Sequence, residues 1–199
     1  MPLPARSKKG RSGGRAAARW VGASLCAAGM LRAEVITDGS LGAAGSLPGP
    51  AFQIPAGLGK KAGANLFHSF SQFNLANGES ATFSGPADVR HVFARVTGGS
   101  ASSIDGLLRS TIPGANFYFL NPKGVLFGPN AAVDVGGAFA VVTGDHIDLS
   151  DGTRFNAAPG PADATLTSAP PAAFGFLPAN AGPITFQDSV LTAANGATW

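Results

Sequence analysis

Residues 128–152 read GPNAAVDVGGAFAVVTGDHIDLSDG, and this stretch decides the fold class. Glycine recurs in it at intervals of eight, at Gly128, Gly136, Gly144 and Gly152. The segments between these glycines (AAVDV, AFAVVT and HIDLS) are each about one strand long. In the third, Ile147 and Leu149 alternate with polar residues, which predicts a strand with one buried and one solvated face. Short strands joined by turns predict an all-β protein. The interval alone does not choose between a sandwich, a barrel and a β-solenoid.

The composition agrees with an all-β chain of about one domain. The 199 residues include 28 Gly and 15 Pro, so turns are frequent, and only 13% are charged, which argues against a helical bundle or coiled coil. Hydrophobic residues make up 45%, so the chain can bury a core and is not a disordered tail.

The positive charge is concentrated at the N-terminus. Residues 1–33 hold seven of the 14 Lys and Arg residues and no acid, and they end in the apolar run WVGASLCAAGML (20–31). This pattern predicts a secretory signal peptide over 1–33, leaving residues 34–199 as the mature domain. A disordered basic N-terminus and a start codon placed too early are the alternatives. The mature part carries a net charge of −4, so the basic pI of 9.4 does not indicate nucleic-acid binding. Its one basic pair, Lys60-Lys61, predicts a solvated turn.

Cysteine use limits the chemistry. Cys26 is the only cysteine, and it lies inside the apolar run, so the mature domain has none. Disulfides, cysteine nucleophiles, zinc–cysteine sites and iron–sulfur clusters are therefore not expected. A lipoprotein anchor on Cys26 is an alternative, although the cysteine stands early in the apolar run.

Two further stretches predict strands and a turn. Strands are expected near Glu34–Ile36 and around Phe67, Phe70 and Phe73, where Ser, Asn and Gly neighbours argue against a helix. Residues 121–124 (NPKG) predict a turn between the apolar segments NFYFL and VLF. Asn can hydrogen-bond the following backbone, Pro presets the second position, and Gly frees the fourth.

Five collinear segments resemble the N-terminal domain of filamentous haemagglutinin-type exoproteins, the secreted partners of two-partner secretion systems. They are 65–75 (NLFHSFSQFNL), 78–83 (GESATF), 95–99 (RVTGG), 103–106 (SIDG) and 115–128 (ANFYFLNPKGVLFG). The resemblance runs from about Ile36 to the end of the chain. The NPKG turn matches an Asn-Pro-x-Gly hallmark of the family, with Lys123 where Asn is usual, and the second hallmark, Asn-Pro-Asn-Leu, is absent.

The resemblance implies a right-handed parallel β-helix (β-solenoid) with an N-terminal cap and small extra-helical β elements. It implies a secretion-signal domain that the periplasmic domains of an outer-membrane β-barrel transporter recognise, and that nucleates β-helix folding at the cell surface. The chain would reach the periplasm through the Sec machinery and signal peptidase, and would end secreted or at the surface of a Gram-negative-type bacterium. Because family members usually continue further, we expect the domain to be truncated at its C-terminus.

The residues expected to serve transporter recognition or the fold motif fall into two groups. They are Asn65, Phe67, Ser71, Phe73 and Asn74 in the first motif, and Asn121, Pro122 and Gly124 in the second. The alternative role for each is packing or turn formation. No catalytic residue, metal or cofactor is predicted.

Two other functions stay open. The first is a surface adhesin or haemagglutinin domain that binds glycans on host or neighbouring cells. The second is a polysaccharide-active β-helix enzyme, for which Asp145, His146, Asp148, Asp151 and Arg154 form the best cluster. A weak calcium site on the 145–151 loop is a further alternative, whereas the three scattered histidines do not predict a zinc site.

Overall fold

The computed structural model describes residues 1–2, 33–176 and 181–189. Two short 3-10 helices, Ala56–Leu58 and Pro161–Thr165, accompany the strands of this part of the chain. The strands are β1 Glu34–Thr37, β2 Gly45–Ser46, β3 Ala51–Pro55, β4 Lys60–Ala62, β5 Asn65–Asn74, β6 Ser80–Ser84, β7 His91–Val96, β8 Ser102–Ile104, β9 Leu107–Ser110, β10 Asn116–Leu120, β11 Val125–Phe127, β12 Ala132–Asp134, β13 Phe139–Val142, β14 His146–Leu149, β15 Arg154–Asn156, β16 Pro171–Gly175 and β17 Ile184–Phe186. The predicted signal peptide (1–33) lies almost wholly outside the described residues.

Three stacks of parallel strands form a β-solenoid of about four turns. The first face consists of β5, β7, β10 and β13, the second of β3, β6, β9 and β12, and the third of β8, β11 and β17. The register places Asn65 opposite His91, and His91 opposite Asn116, so equivalent positions of successive coils lie side by side. This confirms the solenoid among the three all-β architectures, because each coil satisfies its backbone groups by pairing with the next coil.

A core rich in phenylalanine fills the inside of the solenoid. Side chains of all three faces contribute to it, and Phe83 of the second face packs edge-on against Phe117 of the first at 4.7 Å between ring centroids. The buried core phenylalanines are Phe52, Phe70, Phe73, Phe83, Phe117, Phe119, Phe127 and Phe139. Their burial accounts for the stability of a chain with few charges, since an aromatic side chain contributes about 2–3 kcal/mol when fully buried.

Antiparallel strands cap the N-terminal end. β1 pairs with the second half of β5, β4 pairs with its first half, and β2 extends the sheet beyond β1. The outer edge of the first coil on this face is therefore occupied, which removes an edge on which another chain could pair. The predicted strand at Glu34–Ile36 is confirmed as β1, whereas the turn predicted at Lys60-Lys61 is wrong, because both residues belong to β4.

A small extra-helical sheet covers the outside of the first face. β14, β15 and β16 pair antiparallel, and their inward side chains meet an outward row of side chains from the solenoid. Within this second core Phe67 stacks on Phe93 at 4.8 Å, and Phe155 packs against both. The first face is thus covered on both sides, which explains why most residues of β5 and β7 are buried without alternation, polar residues included.

The eight-residue glycine interval crosses a boundary in the fold. The segments AAVDV and AFAVVT contain β12 and β13 of the solenoid, while HIDLS contains β14 of the extra-helical sheet. The interval therefore marks turns and does not report one repeated structural unit. No helix in the described part of the chain is both long and apolar enough to cross a membrane.

Candidate functional site

The NPKG segment forms a β-turn at the corner between β10 and β11. The Gly124 amide donates to the Asn121 carbonyl at 3.0 Å, and the Lys123 amide donates to Asn121 Oδ1 at 2.9 Å. Gly124 has a φ of 107°, a conformation that side-chain-bearing residues rarely adopt. The turn chemistry expected from the sequence is confirmed at Asn121 and Gly124.

Asn121 also anchors the neighbouring coil. Its side chain is fully buried, and Nδ2 donates to Ser102 Oγ at 3.0 Å and to the Ser100 carbonyl at 3.3 Å. From the first coil, Asn74 Oδ1 accepts the Ser103 amide at 2.9 Å. The two sequence motifs thus hold the start of β8 from both sides, so residues far apart in sequence meet at one corner of the solenoid.

Ser71 introduces a bulge in β5 beside this corner. Ile36 pairs with Gln72 and Thr37 pairs with Phe70, which leaves Ser71 as an extra residue in the strand. The bulge lets Phe70 and Phe73 both point into the core despite their spacing of three. The Ser71 carbonyl packs so closely on Gly98 that a Cβ at position 98 would collide with it.

Two grooves meet at this corner. One, of about 340 Å³, is lined by Ser71, Asn74 and the 98–102 loop, and the other, of about 580 Å³, is lined by Pro122, Lys123 and the outer face of β14 and β15. They share Val96 and Gly98 as a common wall. We call the accessible residues around them the corner surface, which comprises Ser71, Asn74, Gly98, Gly99, Ser100, Pro122 and Lys123.

Lys123 is the exposed cation of the corner surface. Its backbone makes the turn, and its side chain makes no hydrogen bond or ion pair within residues 33–176 and 181–189. In the sequence, Lys123 stands out only as a departure from the family motif, and nothing there predicts a role for Ser100 or Ser102. Ser100 and Ser102 belong to no recognisable sequence motif, and only their contacts with Asn121 in the folded domain reveal them.

Asn65 and Phe67 lie away from the corner surface. Both are fully buried under the extra-helical sheet, where Phe67 joins the outer aromatic cluster. Asn65 Nδ2 donates to the carbonyls of Thr167 and Ala169, at 2.9 and 2.7 Å, while its Oδ1 makes no hydrogen bond in the described chain. These two residues dock the 166–170 segment onto the solenoid, and in the folded domain they are not accessible to a partner.

The cluster considered for catalysis lies on and beside one strand pair: His146, Asp148 and Arg154 belong to β14 and β15, whereas Asp145 and Asp151 lie in the flanking turns. His146 and Asp148 share the outer face of β14, and Asp148 Oδ1 accepts Arg154 Nε at 2.9 Å with His146 Nε2 at 3.5 Å. The expected shared face is confirmed. Among the described residues no group of three His, Cys, Asp or Glu side chains is placed to hold a metal ion.

A polar network links the corner to the cap. Burial raises the pKa of Asp38, but hydrogen bonds from Ser69, Ser40 and Thr97 outweigh burial, and the net result is a lowered pKa. Asp38 Oδ2 accepts Ser69 Oγ at 2.6 Å and Thr97 Oγ1 at 2.9 Å, so a charged carboxylate fixes β5 to the residue that follows β7.

Comparison with known families agrees with this geometry. The family model of the TPS secretion domain matches residues 33–195. Neither the search of curated proteins nor the search of solved structures gave a significant match. The match covers the cap, the solenoid and the extra-helical sheet, and it confirms the resemblance to two-partner secretion exoproteins. The chain therefore belongs to the family of TPS secretion domains.

Proposed function

We propose that this domain is the secretion signal of a two-partner secretion exoprotein, recognised by the periplasmic domains of a dedicated outer-membrane transporter. The single observation that supports this most is the family match over residues 33–195. In the same proposal residues 1–33 direct Sec-dependent export and are removed by signal peptidase. The domain folds at the cell surface, where its capped first coil serves as the template on which later coils pair.

Burial divides the eight motif residues into two roles. Asn65, Phe67, Phe73, Asn121 and Gly124 are buried and hold the fold, as their contacts above describe. Ser71, Asn74 and Pro122 are partly accessible and belong to the corner surface. We propose that the transporter contacts this surface, with Lys123 as its charged member.

The corner surface suits a partner that offers carboxylates. Lys123 is exposed and has no ion-pair partner among the described residues. Arg154, at the edge of the larger groove, is also exposed, although it is paired with Asp148. Exposed charges of this kind chiefly affect the rate and specificity of association. Reversal of the Lys123 charge is therefore expected to impair recognition without affecting the fold.

The test is a secretion assay combined with a stability measurement. The chain would be co-expressed with its cognate transporter, and both the secreted fraction and the urea midpoint would be measured. We expect Lys123→Glu to reduce secretion several-fold at an unchanged midpoint, and Asn121→Ala to lower both.

Lys61→Glu provides the matched control, because Lys61 is a partly exposed lysine of the cap that pairs with Asp88 away from the corner surface. It is expected to leave secretion unchanged. Normal secretion of Lys123→Glu would remove the corner surface from the proposal. An equal loss for both lysine variants would point to overall charge instead.

A further inference from the structure

Arg95 is a fully buried cation on the outer face of β7. All five of its N–H groups are used: Nε donates to Ser69 Oγ at 2.7 Å, and the two terminal nitrogens make a bidentate pair with Asp163 at 2.8 and 2.6 Å. The remaining two bonds go to the Asn156 carbonyl at 2.8 Å and to Ser40 Oγ at 2.9 Å. The guanidinium carbon also lies 5.0 Å from the centre of the Phe155 ring.

The partners of Arg95 come from four distant parts of the chain. Ser40 belongs to the cap, Ser69 to the first coil, Asn156 to the extra-helical sheet, and Asp163 to the second 3-10 helix. Asp163 is itself oriented by its own segment, because its Oδ2 accepts the Gly160 amide at 3.2 Å. From the cap, Lys60 Nζ donates to the carbonyls of Asp163 and Ala164, at 2.5 and 2.9 Å.

The order of these partners along the chain has a physical consequence. The cap and the first two coils already place Arg95. Asp38 of the cap reaches it only through the hydroxyls of Ser40 and Ser69. Its direct ion-pair partner, Asp163, arrives 68 residues later. A buried guanidinium without a counter-ion is strongly unfavourable, whereas the completed bidentate pair with full hydrogen bonding is tolerated. Burial of Arg95 on the outer face of β7 is therefore favourable only together with the docking of residues 156–163, which bring Asn156 and Asp163 to it.

We propose that Arg95 and Asp163 form a clasp that makes the cap, the first coils and the extra-helical sheet one cooperative folding unit. Until Asp163 pairs with Arg95, the cap, the first coils and the extra-helical sheet stay loosely packed. The pairing then stabilises all three parts together. In a domain that crosses an outer membrane unfolded, such a clasp delays folding until residue 163 has been delivered. This last step rests on the proposed function, while the clasp itself does not.

Hydrogen exchange measured by mass spectrometry on the purified chain tests the clasp without a transporter. Asp163→Asn keeps the shape of the side chain and removes its charge. We expect exchange of the β5 and β7 amides to rise about 100-fold or more, together with that of residues 156–166. The matched control is Asp148→Asn, which breaks the solvent-accessible pair with Arg154 and is expected to leave β5 and β7 unchanged.

A second variant keeps the test decisive if Asp163→Asn does not fold. Adding Arg95→Met removes the uncompensated charge, so the double variant is expected to fold and to exchange more slowly than Asp163→Asn alone. Faster exchange confined to residues 156–166 in Asp163→Asn would overturn the proposal, and so would a double variant no better folded than the single one. Either result would stand independently of whether the chain is exported.

Discussion

His68 should make the stability of the domain fall as the pH drops from neutral towards 4. Its ring is fully buried inside the solenoid, 5.3 Å from the ring of Phe83 and 6.2 Å from that of Phe70, measured between centroids. In the described part of the chain, neither ring nitrogen makes a hydrogen bond that meets ordinary distance and angle limits. Burial lowers the pKa of His68, and the nearby Leu58 backbone, which favours the charged ring, offsets a small part of this effect; the net pKa falls from 6.5 to about 4.

The sign and size follow from linkage. Between pH 6.5 and about 4 the unfolded chain binds a proton at His68 and the folded chain does not, so acid favours unfolding throughout this window. Each pKa unit corresponds to about 1.4 kcal/mol, so the full shift costs about 3 kcal/mol. Above pH 6.5 this loss is absent, and below about 4 it does not grow further. Against a total of about 5–15 kcal/mol for a domain, the effect is large.

The assay is urea unfolding of the purified chain at several pH values, compared with His68→Leu. Leucine keeps the position apolar and removes the titrating group, so the difference between the two proteins isolates His68 from the carboxylates that they share. We expect the wild type to lose about 3 kcal/mol more than the variant between pH 7 and pH 4. Parallel pH profiles for the two proteins would refute the reasoning.

Three other substitutions test the corner and the network beside it. Asn121→Ala removes three hydrogen bonds of a buried side chain and should lower the free energy of unfolding by about 2–3 kcal/mol in urea. The control Asn130→Ala, at an exposed turn position, should lower it by less than about 0.5 kcal/mol. Gly98→Ala should destabilise by about 3 kcal/mol in urea unfolding, because its Cβ would meet the Ser71 carbonyl. Gly99→Ala, which has open space around its Cβ, should be neutral in the same assay. Asp38→Asn should remove the part of the stability that the lowered pKa of this carboxyl provides. As the pH falls through and below 3.8, the unfolding midpoint of the variant should therefore depend less on pH than that of the wild type. An identical pH dependence would contradict the role of the carboxylate.

Local chemistry made the turn and many of the strands predictable. Asn, Pro and Gly at 121, 122 and 124 specify a turn through contacts within four residues, and the turn forms as expected. The preference for a strand at 65–74 over a helix was also right. The spacing of Phe70 and Phe73 looked helical because the bulge at Ser71, which depends on pairing with β1, is not visible in the sequence.

Long-range partners made the rest unpredictable. Arg95 was visible only as part of the RVTGG segment, and nothing near it in sequence indicates that its counter-charge is Asp163, in a Gly- and Pro-rich stretch. Likewise, Asn65 and Phe67 stood beside Ser71 and Asn74 in one motif, yet the extra-helical sheet buries the first two and leaves the others accessible. Which side of a strand is covered depends on what folds over it, and that element begins at His146.

Transporter-dependent release is the most direct test of the central claim that this domain is a secretion signal. Residues 1–199 would be expressed with and without the cognate two-partner transporter, and the processed chain measured in the culture supernatant and in the periplasm. The account predicts processed chain in the supernatant only when the transporter is present. Retention of an intact, processed chain in the periplasm despite a functional transporter would contradict it.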